Sequence, residues 1–216
     1  MKPEMYDHWY DSDRGRWIGD TELALIRRHL GFRPGDRILD VGCGTGWFTR
    51  RLARLPGAEV TGVDIDQPAL EFARSRDSRS CYVPGDARCL PFEAESFERV
   101  VSIAALCFVP EWHDGIREIV RVARDSFVIG LLNRHSLLWY RKGRSGSDPG
   151  AYRGAYWHRA GELTAVLSDL PVTNIRVRSA IWFPGGSPGA RVAERLIPGR
   201  FPFGSFLLVA GDKAPR

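Results

Sequence analysis

The stretch Ile38-Leu-Asp-Val-Gly-Cys-Gly-Thr-Gly46 decides the fold class of this chain. A short apolar run over residues 37–41 leads into glycines at positions 42, 44 and 46, and a helix-like segment follows from Trp47. Glycine allows a tight turn and a close approach of backbone amides to a ligand, and the N-terminus of the next helix points at that ligand. The pattern predicts a strand–turn–helix unit that binds a nucleotide-like cofactor.

The rest of the chain alternates between strand and helix in the same way. Short apolar runs predict strands at 37–41, 59–65, 80–83, 99–105 and 126–132, with helices at 21–30, 47–55, 67–75 and 114–123. Beyond Asn133 the patterns predict an exposed loop at 141–155, a helix at 160–170, and strands at 172–183 and 204–210. This alternation predicts an α/β, doubly wound, Rossmann-like sheet that is mostly parallel, with helices on both faces.

Composition narrows the function classes. The chain has 216 residues, 44% of them hydrophobic, which suits one folded domain. No apolar run is long enough for a membrane span, and residues 1–10 lack a signal-peptide pattern, so we expect a cytoplasmic protein. The four cysteines form no C-x-x-C pair, which favours free thiols and no metal site. The net charge of +5 is spread along the chain, so we expect no nucleic-acid partner.

The residues around the glycine loop separate it from other nucleotide motifs. A dinucleotide fingerprint needs its third glycine where Trp47 stands, and no G-x-x-x-x-G-K-[ST] pattern occurs. Asp40 lies two residues before the first glycine. A carboxylate there repels a pyrophosphate and suits a cofactor that carries a cationic amino group and a sulfonium.

Two further acids follow predicted strands. Asp64 ends the second strand, where a carboxylate can accept hydrogen bonds from both ribose hydroxyls. Asp86 follows the third strand and could accept a hydrogen bond from an adenine amino group. Because ligands of open α/β sheets bind at the carboxyl ends of the strands, we expect these acids to face one cofactor with Asp40.

Through these motifs the chain resembles class I S-adenosylmethionine-dependent methyltransferases. It is similar to the broad small-molecule branch that includes the ubiquinone/menaquinone C-methyltransferases. The matching segments are 38–46, Val60-Thr-Gly-Val-Asp-Ile-Asp66, Gly85-Asp-Ala87 with Leu90-Pro-Phe92, and Phe97-Glu-Arg-Val-Val-Ser-Ile103. Residues 104–108 lack the Asn/Asp-Pro-Pro-Tyr type of motif, which disfavours a DNA or protein-amide methyltransferase.

The resemblance implies a seven-stranded sheet whose last strand, near 206–210, is antiparallel. It implies S-adenosylmethionine as cofactor and S-adenosylhomocysteine as product. The glycines would line the methionine part, Asp64 the ribose, Asp86 and Ala87 the adenine, and Ile103 the sulfonium side. The expected cofactor-binding set is Tyr10, Asp40, Gly42, Cys43, Gly44, Asp64, Ile65, Asp86, Ala87 and Ile103.

The resemblance also divides the chain into one domain with three parts. Residues 1–30 would be an N-terminal helical cap, 31–132 the cofactor-binding core, and 133–216 the substrate-side insertions and last strands. Tyr10 lies in the cap among other aromatic residues, and an aromatic face near a sulfonium gains cation–π attraction.

No catalytic residue stands out, because methyl transfer can rest on proximity and orientation alone. His113, His135, Glu111 and His158 are weak candidates for a general base. The leading hypothesis is methyl transfer to a small-molecule substrate. A non-catalytic cofactor-binding sensor or scaffold is the alternative, and a nucleotide-dependent oxidoreductase is a third reading that Trp47 disfavours. The sequence leaves the oligomeric state open.

Overall fold

The computed structural model describes residues 2–144 and 152–214. Its seven strands are β1 Arg37–Val41, β2 Glu59–Asp64, β3 Cys81–Pro84, β4 Phe97–Ile103, β5 Ala123–Leu132, β6 Val172–Ala180 and β7 Phe206–Lys213. Its seven α-helices are α1 Pro3–Trp9, α2 Asp13–Leu30, α3 Trp47–Leu52, α4 Gln67–Arg76, α5 Trp112–Val122, α6 Ala160–Ser168 and α7 Pro188–Leu196.

The strands form one sheet in the order β3-β2-β1-β4-β5-β7-β6. Strand β7 runs antiparallel to both of its neighbours, β5 and β6, while the other pairs are parallel. The predicted seven-stranded, mostly parallel sheet with an antiparallel last strand is therefore confirmed. The chain order reverses between β1 and β4, which is the switch point where such sheets bind ligands.

Both faces of the sheet are buried, as a doubly wound sheet requires. One core packs α5 and α6 against the sheet around Phe127 and Ile119. The other core packs α2 and α3 against the opposite face around Ile26 and Leu52. The carboxyl ends of the parallel strands form one edge of the sheet, and this edge lies between the two layers of helices.

Two predicted boundaries are wrong in ways that matter for the site. Helix α2 begins at Asp13, not at residue 21, with the Ser12 side chain accepting a hydrogen bond from the Gly15 N–H. Strand β6 ends at Ala180, and Ile181 turns away from the sheet with a φ of 64°. Part of the predicted loop at 141–155 lies outside the described residues.

Two further observations concern the described ranges. No helix there is both long enough and apolar enough to cross a membrane. Within the same ranges, no group of three or more His, Cys, Asp or Glu side chains could hold a metal ion. The four cysteines are free thiols, and Cys107 is buried.

Candidate active site

A cavity of about 480 Å³ opens over the carboxyl ends of β1, β2, β3 and β4. Its walls include seven of the ten predicted cofactor residues: Gly42, Gly44, Asp64, Ile65, Asp86, Ala87 and Ile103. It is also lined by Tyr6, Arg88, Ala104 and Phe108. A smaller cavity beside it is lined by Tyr10, Asp40 and Cys43 together with Gly42, Gly44 and Ile103. The two cavities together contain the whole predicted cofactor-binding set.

The glycine loop presents backbone to this cavity. Gly42 and Gly44 have φ values of 74° and 51°, which side-chain-bearing residues rarely adopt. A Cβ at position 42 would lie 2.1 Å from the Cβ of Ala105, so that glycine is required by close packing. A Cβ at position 44 would meet nothing within 4 Å. Gly44 therefore borders open space that a ligand can fill.

Asp64, at the end of β2, is hydrogen-bonded to the glycine loop. Its carboxylate accepts hydrogen bonds from the backbone N–H of Gly44 at 2.7 Å and of Asp66 at 2.9 Å. Burial raises its pKa, while those hydrogen bonds favour the ionised form. Ile65 beside it is 72% exposed, an unusual position for a large apolar side chain. The pair offers a polar and an apolar contact to one ligand.

Asp40 is the buried acid of the site, with only 2% of its surface exposed. It accepts a hydrogen bond of 2.6 Å from the Thr49 hydroxyl on α3. Burial, opposed by the Thr49 hydrogen bond and assisted by the negative charge of Asp64, raises the pKa of Asp40 to about 7. A cationic ligand nearby would favour the ionised carboxylate.

The N-terminal helix α1 is held against the glycine loop. The buried Asp7 carboxylate accepts hydrogen bonds from the Thr45 hydroxyl at 3.0 Å and from the Arg50 guanidinium at 2.8 Å. Tyr10 stacks on Trp47 with ring centroids 4.3 Å apart, and its hydroxyl lies 3.3 Å from that of Tyr6. Sequence reasoning missed Asp7 and Tyr6, because neither lies in a recognisable motif.

Asp86 has a partner that the sequence reasoning did not expect. Arg88 donates to both carboxylate oxygens of Asp86, at 3.0 Å from Nε and 2.7 Å from Nη2, and this lowers the pKa of Asp86. Arg88 also donates to Glu111 at 2.8 Å. An adenine amino group would therefore share the Asp86 carboxylate with Arg88. The two-residue spacing of Asp86 and Arg88 was a signal that could have revealed this pair.

The three histidines among the weak catalytic candidates do not line these cavities, whereas Glu111 accepts a hydrogen bond from Arg88, which does. His113 is exposed and stacks on Trp112, and His135 is exposed after β5. His158 is buried, and burial lowers its pKa to about 4. None of the three lines either of these cavities. Instead, Glu22 of α2 lies near the site, and burial raises its pKa to about 8.

The comparisons with known proteins agree with this geometry. Residues 39–128 match the family described as "Methyltransferase domain". A malonyl-[acyl-carrier protein] O-methyltransferase of Erwinia pyrifoliae is 38% identical over 122 residues, which cover 52% of this chain and 46% of that protein. An uncharacterized protein of Mycobacterium tuberculosis is 36% identical over 186 residues, covering 84% of this chain and 62% of that protein. This chain thus spans less than two thirds of either relative.

Solved structures extend the likeness to the whole fold. An S-adenosylmethionine-dependent methyltransferase from Thermotoga maritima superimposes with a TM-score of 0.79 at 21% identity, over 97% of this chain and 95% of that one. A geranyl diphosphate C-methyltransferase from Streptomyces coelicolor, solved with S-adenosylhomocysteine, gives a TM-score of 0.69 at 18% identity, over 92% and 80% of the two chains. Residues 39–128 of this chain therefore match the methyltransferase-domain family, and the chain as a whole shares the fold of these solved methyltransferases.

Proposed function

We propose that this chain transfers a methyl group from S-adenosylmethionine to a small-molecule acceptor. The observation that carries the proposal is the 480 Å³ cavity at the switch point, where Gly44 leaves open space beside the carboxylate of Asp64. Bound S-adenosylmethionine would supply a methyl group on a positively charged sulfur. The residues of the chain would bind that donor, orient it and keep water away.

The predicted contacts fit that donor in their chemistry. Asp64 can accept hydrogen bonds from the ribose hydroxyls, and the exposed Ile65 offers an apolar surface to the adenine. Two side chains suit a cation. Asp40 has a pKa of about 7, so much of it is ionised at neutral pH, and Tyr10 offers an aromatic face. We retain the predicted set, with Asp86 acting jointly with Arg88 and the segment 1–30 acting as the cap.

The acceptor is a small organic molecule in this proposal. The relatives' names span several acceptors, including a malonyl group on a carrier protein and cycloartenol. A quinone ring carbon, as in the ubiquinone/menaquinone branch, is one acceptor to test among these. Trp47 is 3% exposed at the position where a dinucleotide fingerprint has glycine, which speaks against an oxidoreductase.

Isothermal titration calorimetry with S-adenosylhomocysteine tests the proposal directly, with NADH as the matched control ligand. We expect a dissociation constant in roughly the micromolar range for the first and no binding of the second. Binding of NADH alone, or of neither ligand to folded protein, would contradict the proposal. Tight cofactor binding without methyl transfer to any carboxylate, amine, hydroxyl or quinol acceptor would favour the sensor or scaffold alternative.

A further inference from the structure

A further cavity lies near the cofactor cavity. It has a volume of about 40 Å³ and lies where β5 ends, β7 begins and the chain leaves β6. Its walls include Ile18, Glu22, Ala104, Leu132, Ile181 and Ser205. Ala104 lines both cavities, so both border the end of β4.

Two polar side chains in this cavity, Ser205 and Glu22, have no hydrogen-bond partner among the described residues. Ser205 is 4% exposed, and its hydroxyl makes no hydrogen bond within the described part of the chain. The half-buried Glu22 receives no hydrogen bond from any described residue, and burial raises its pKa. A buried hydroxyl without a partner is costly, so Ser205 points to a ligand in this cavity.

The backbone around the cavity is also held in an unusual conformation. Ala104 and Ile181 have φ values of 54° and 64°, and a β-branched residue is strongly disfavoured there. The carboxylate of Glu194 stabilises this turn by accepting hydrogen bonds from the backbone N–H of Ile181 at 2.9 Å and of Trp182 at 3.0 Å. Strain of this kind persists mainly where it shapes a functional site.

We propose that this cavity receives the reactive end of the acceptor, a hydroxyl or amine on an apolar body, and that Glu22 accepts the acceptor's proton. The inference rests on the proposed function. The nucleophilic oxygen or nitrogen forms a bond to the methyl carbon, and the bond from that carbon to the donor sulfur breaks with its electron pair left on sulfur. The proton that the acceptor loses goes to the Glu22 carboxylate, so charge and atoms balance. Ser205 would orient the same group by hydrogen bonding.

The charges facing Glu22 support this acceptor class. The titratable groups that interact with it are Tyr6, Tyr10 and Cys107, and burial raises the pKa of each. All three are therefore neutral near pH 8, where Glu22 itself titrates. Once Glu22 is ionised, above about pH 8, a carboxylate acceptor would bring a like charge against it and is disfavoured. The inferred acceptor thus differs in kind from the malonyl group in the name of one relative.

Binding of three probes with the same four-carbon body tests the inference without turnover. Butylamine, butan-1-ol and butyrate are titrated into protein saturated with S-adenosylhomocysteine at about pH 9, and protein NMR shifts report binding. We expect butylamine and butan-1-ol to bind and butyrate not to bind. Glu22→Gln should weaken the binding of butylamine by about tenfold or more, since a charged hydrogen bond is lost. The affinity for butan-1-ol should change less, because a glutamine still accepts a hydrogen bond. Glu71→Gln, an exposed carboxyl on α4, is the matched control.

A second readout measures the proton on Glu22 itself. Infrared difference spectra recorded across a pH titration should show a carboxyl band that titrates near pH 8 and is missing in Glu22→Gln. The inference is overturned if butyrate binds as well as butylamine, if Glu22→Gln leaves all three affinities unchanged, or if no such band exists. If the proposed function is wrong, the protein should already fail to bind S-adenosylhomocysteine, before any probe is added.

Discussion

The two cavities share one edge of one sheet but are built differently. The cofactor cavity takes most of its residues from short segments that directly follow β1, β2, β3 and β4, and it offers backbone amides and short carboxylates. The neighbouring cavity is assembled from side chains far apart in the chain, such as Ile18, Leu132 and Ser205, and is apolar apart from few groups. The proposed donor site thus depends on local backbone geometry, and the proposed acceptor site depends on long-range packing. Changes on the acceptor side should therefore leave the donor side intact.

The largest effect should come from Gly44→Ala. The added methyl group enters the open space of the cofactor cavity, so the affinity for S-adenosylhomocysteine should fall by about 100-fold. Gly31→Ala is the matched control, because Gly31 also has a positive φ with nothing within 4 Å and lies at the end of α2. Both variants should lose about 1–2 kcal/mol of stability. Equal affinities in calorimetry would remove Gly44 from the site.

Asp64→Ala should have the next largest effect. Losing the carboxylate removes the proposed ribose contact and the hydrogen bond to the Gly44 N–H, so calorimetry should show S-adenosylhomocysteine binding about 30-fold more weakly. Glu59→Ala, at the opposite end of β2, removes an exposed carboxyl from the same strand and should bind like wild type. If the two variants behave alike, the assignment of Asp64 fails.

A smaller effect should follow the ionisation of Asp40. Its pKa is raised to about 7, so the carboxylate gains its charge as the pH rises through that value. The affinity of wild type for S-adenosylmethionine, relative to Asp40→Asn, should therefore increase about fivefold between about pH 6 and about pH 8. Fluorescence titration at several pH values measures the ratio. A ratio that is flat or falls with pH would contradict the role of Asp40.

On the acceptor side, Glu22→Gln should alter stability and not donor binding. Folding raises the pKa of Glu22 from 4.5 to about 8, so the folded chain holds this proton more tightly than the unfolded chain. Stability therefore falls as the pH rises between these values, and Gln avoids that loss. Near pH 9 the variant should melt higher than wild type, by about 2–4 °C for each kcal/mol of stability recovered, and near pH 4 the two should melt at the same temperature. Weaker S-adenosylhomocysteine binding by this variant would contradict the expectation that changes on the acceptor side leave the donor side intact.

The smallest effects should come from the exposed histidines. His113→Ala and His135→Ala alter side chains that line neither cavity. The affinity for S-adenosylhomocysteine, and methyl transfer once an acceptor is found, should stay within about twofold of wild type. A large loss of transfer in either variant would return that histidine to the list of general bases.

The sequence predicted the parts of the site that follow single strands, because each such part depends on a few adjacent residues. It placed Glu22 in the first turn of a helix beginning at residue 21, where an acid is ordinary. Gly15 and Gly19 lie in the part of α2 that precedes residue 21. In the structure they allow close packing, since a Cβ would lie 2.1 Å from the Trp9 carbonyl oxygen or 2.6 Å from the Trp47 ring. The helix therefore starts earlier, and Glu22 lies well inside it.

The position of β7 has a consequence for how the protein is made. Although β7 follows β6 along the chain, it lies between β5 and β6 and pairs with both. During synthesis, β6 therefore has no strand to join until residues 206–213 emerge, whereas β1 to β5 can already pair. Domains fold as their segments leave the ribosome. A nascent chain should gain its donor-binding half first, and the acceptor-side wall should assemble last.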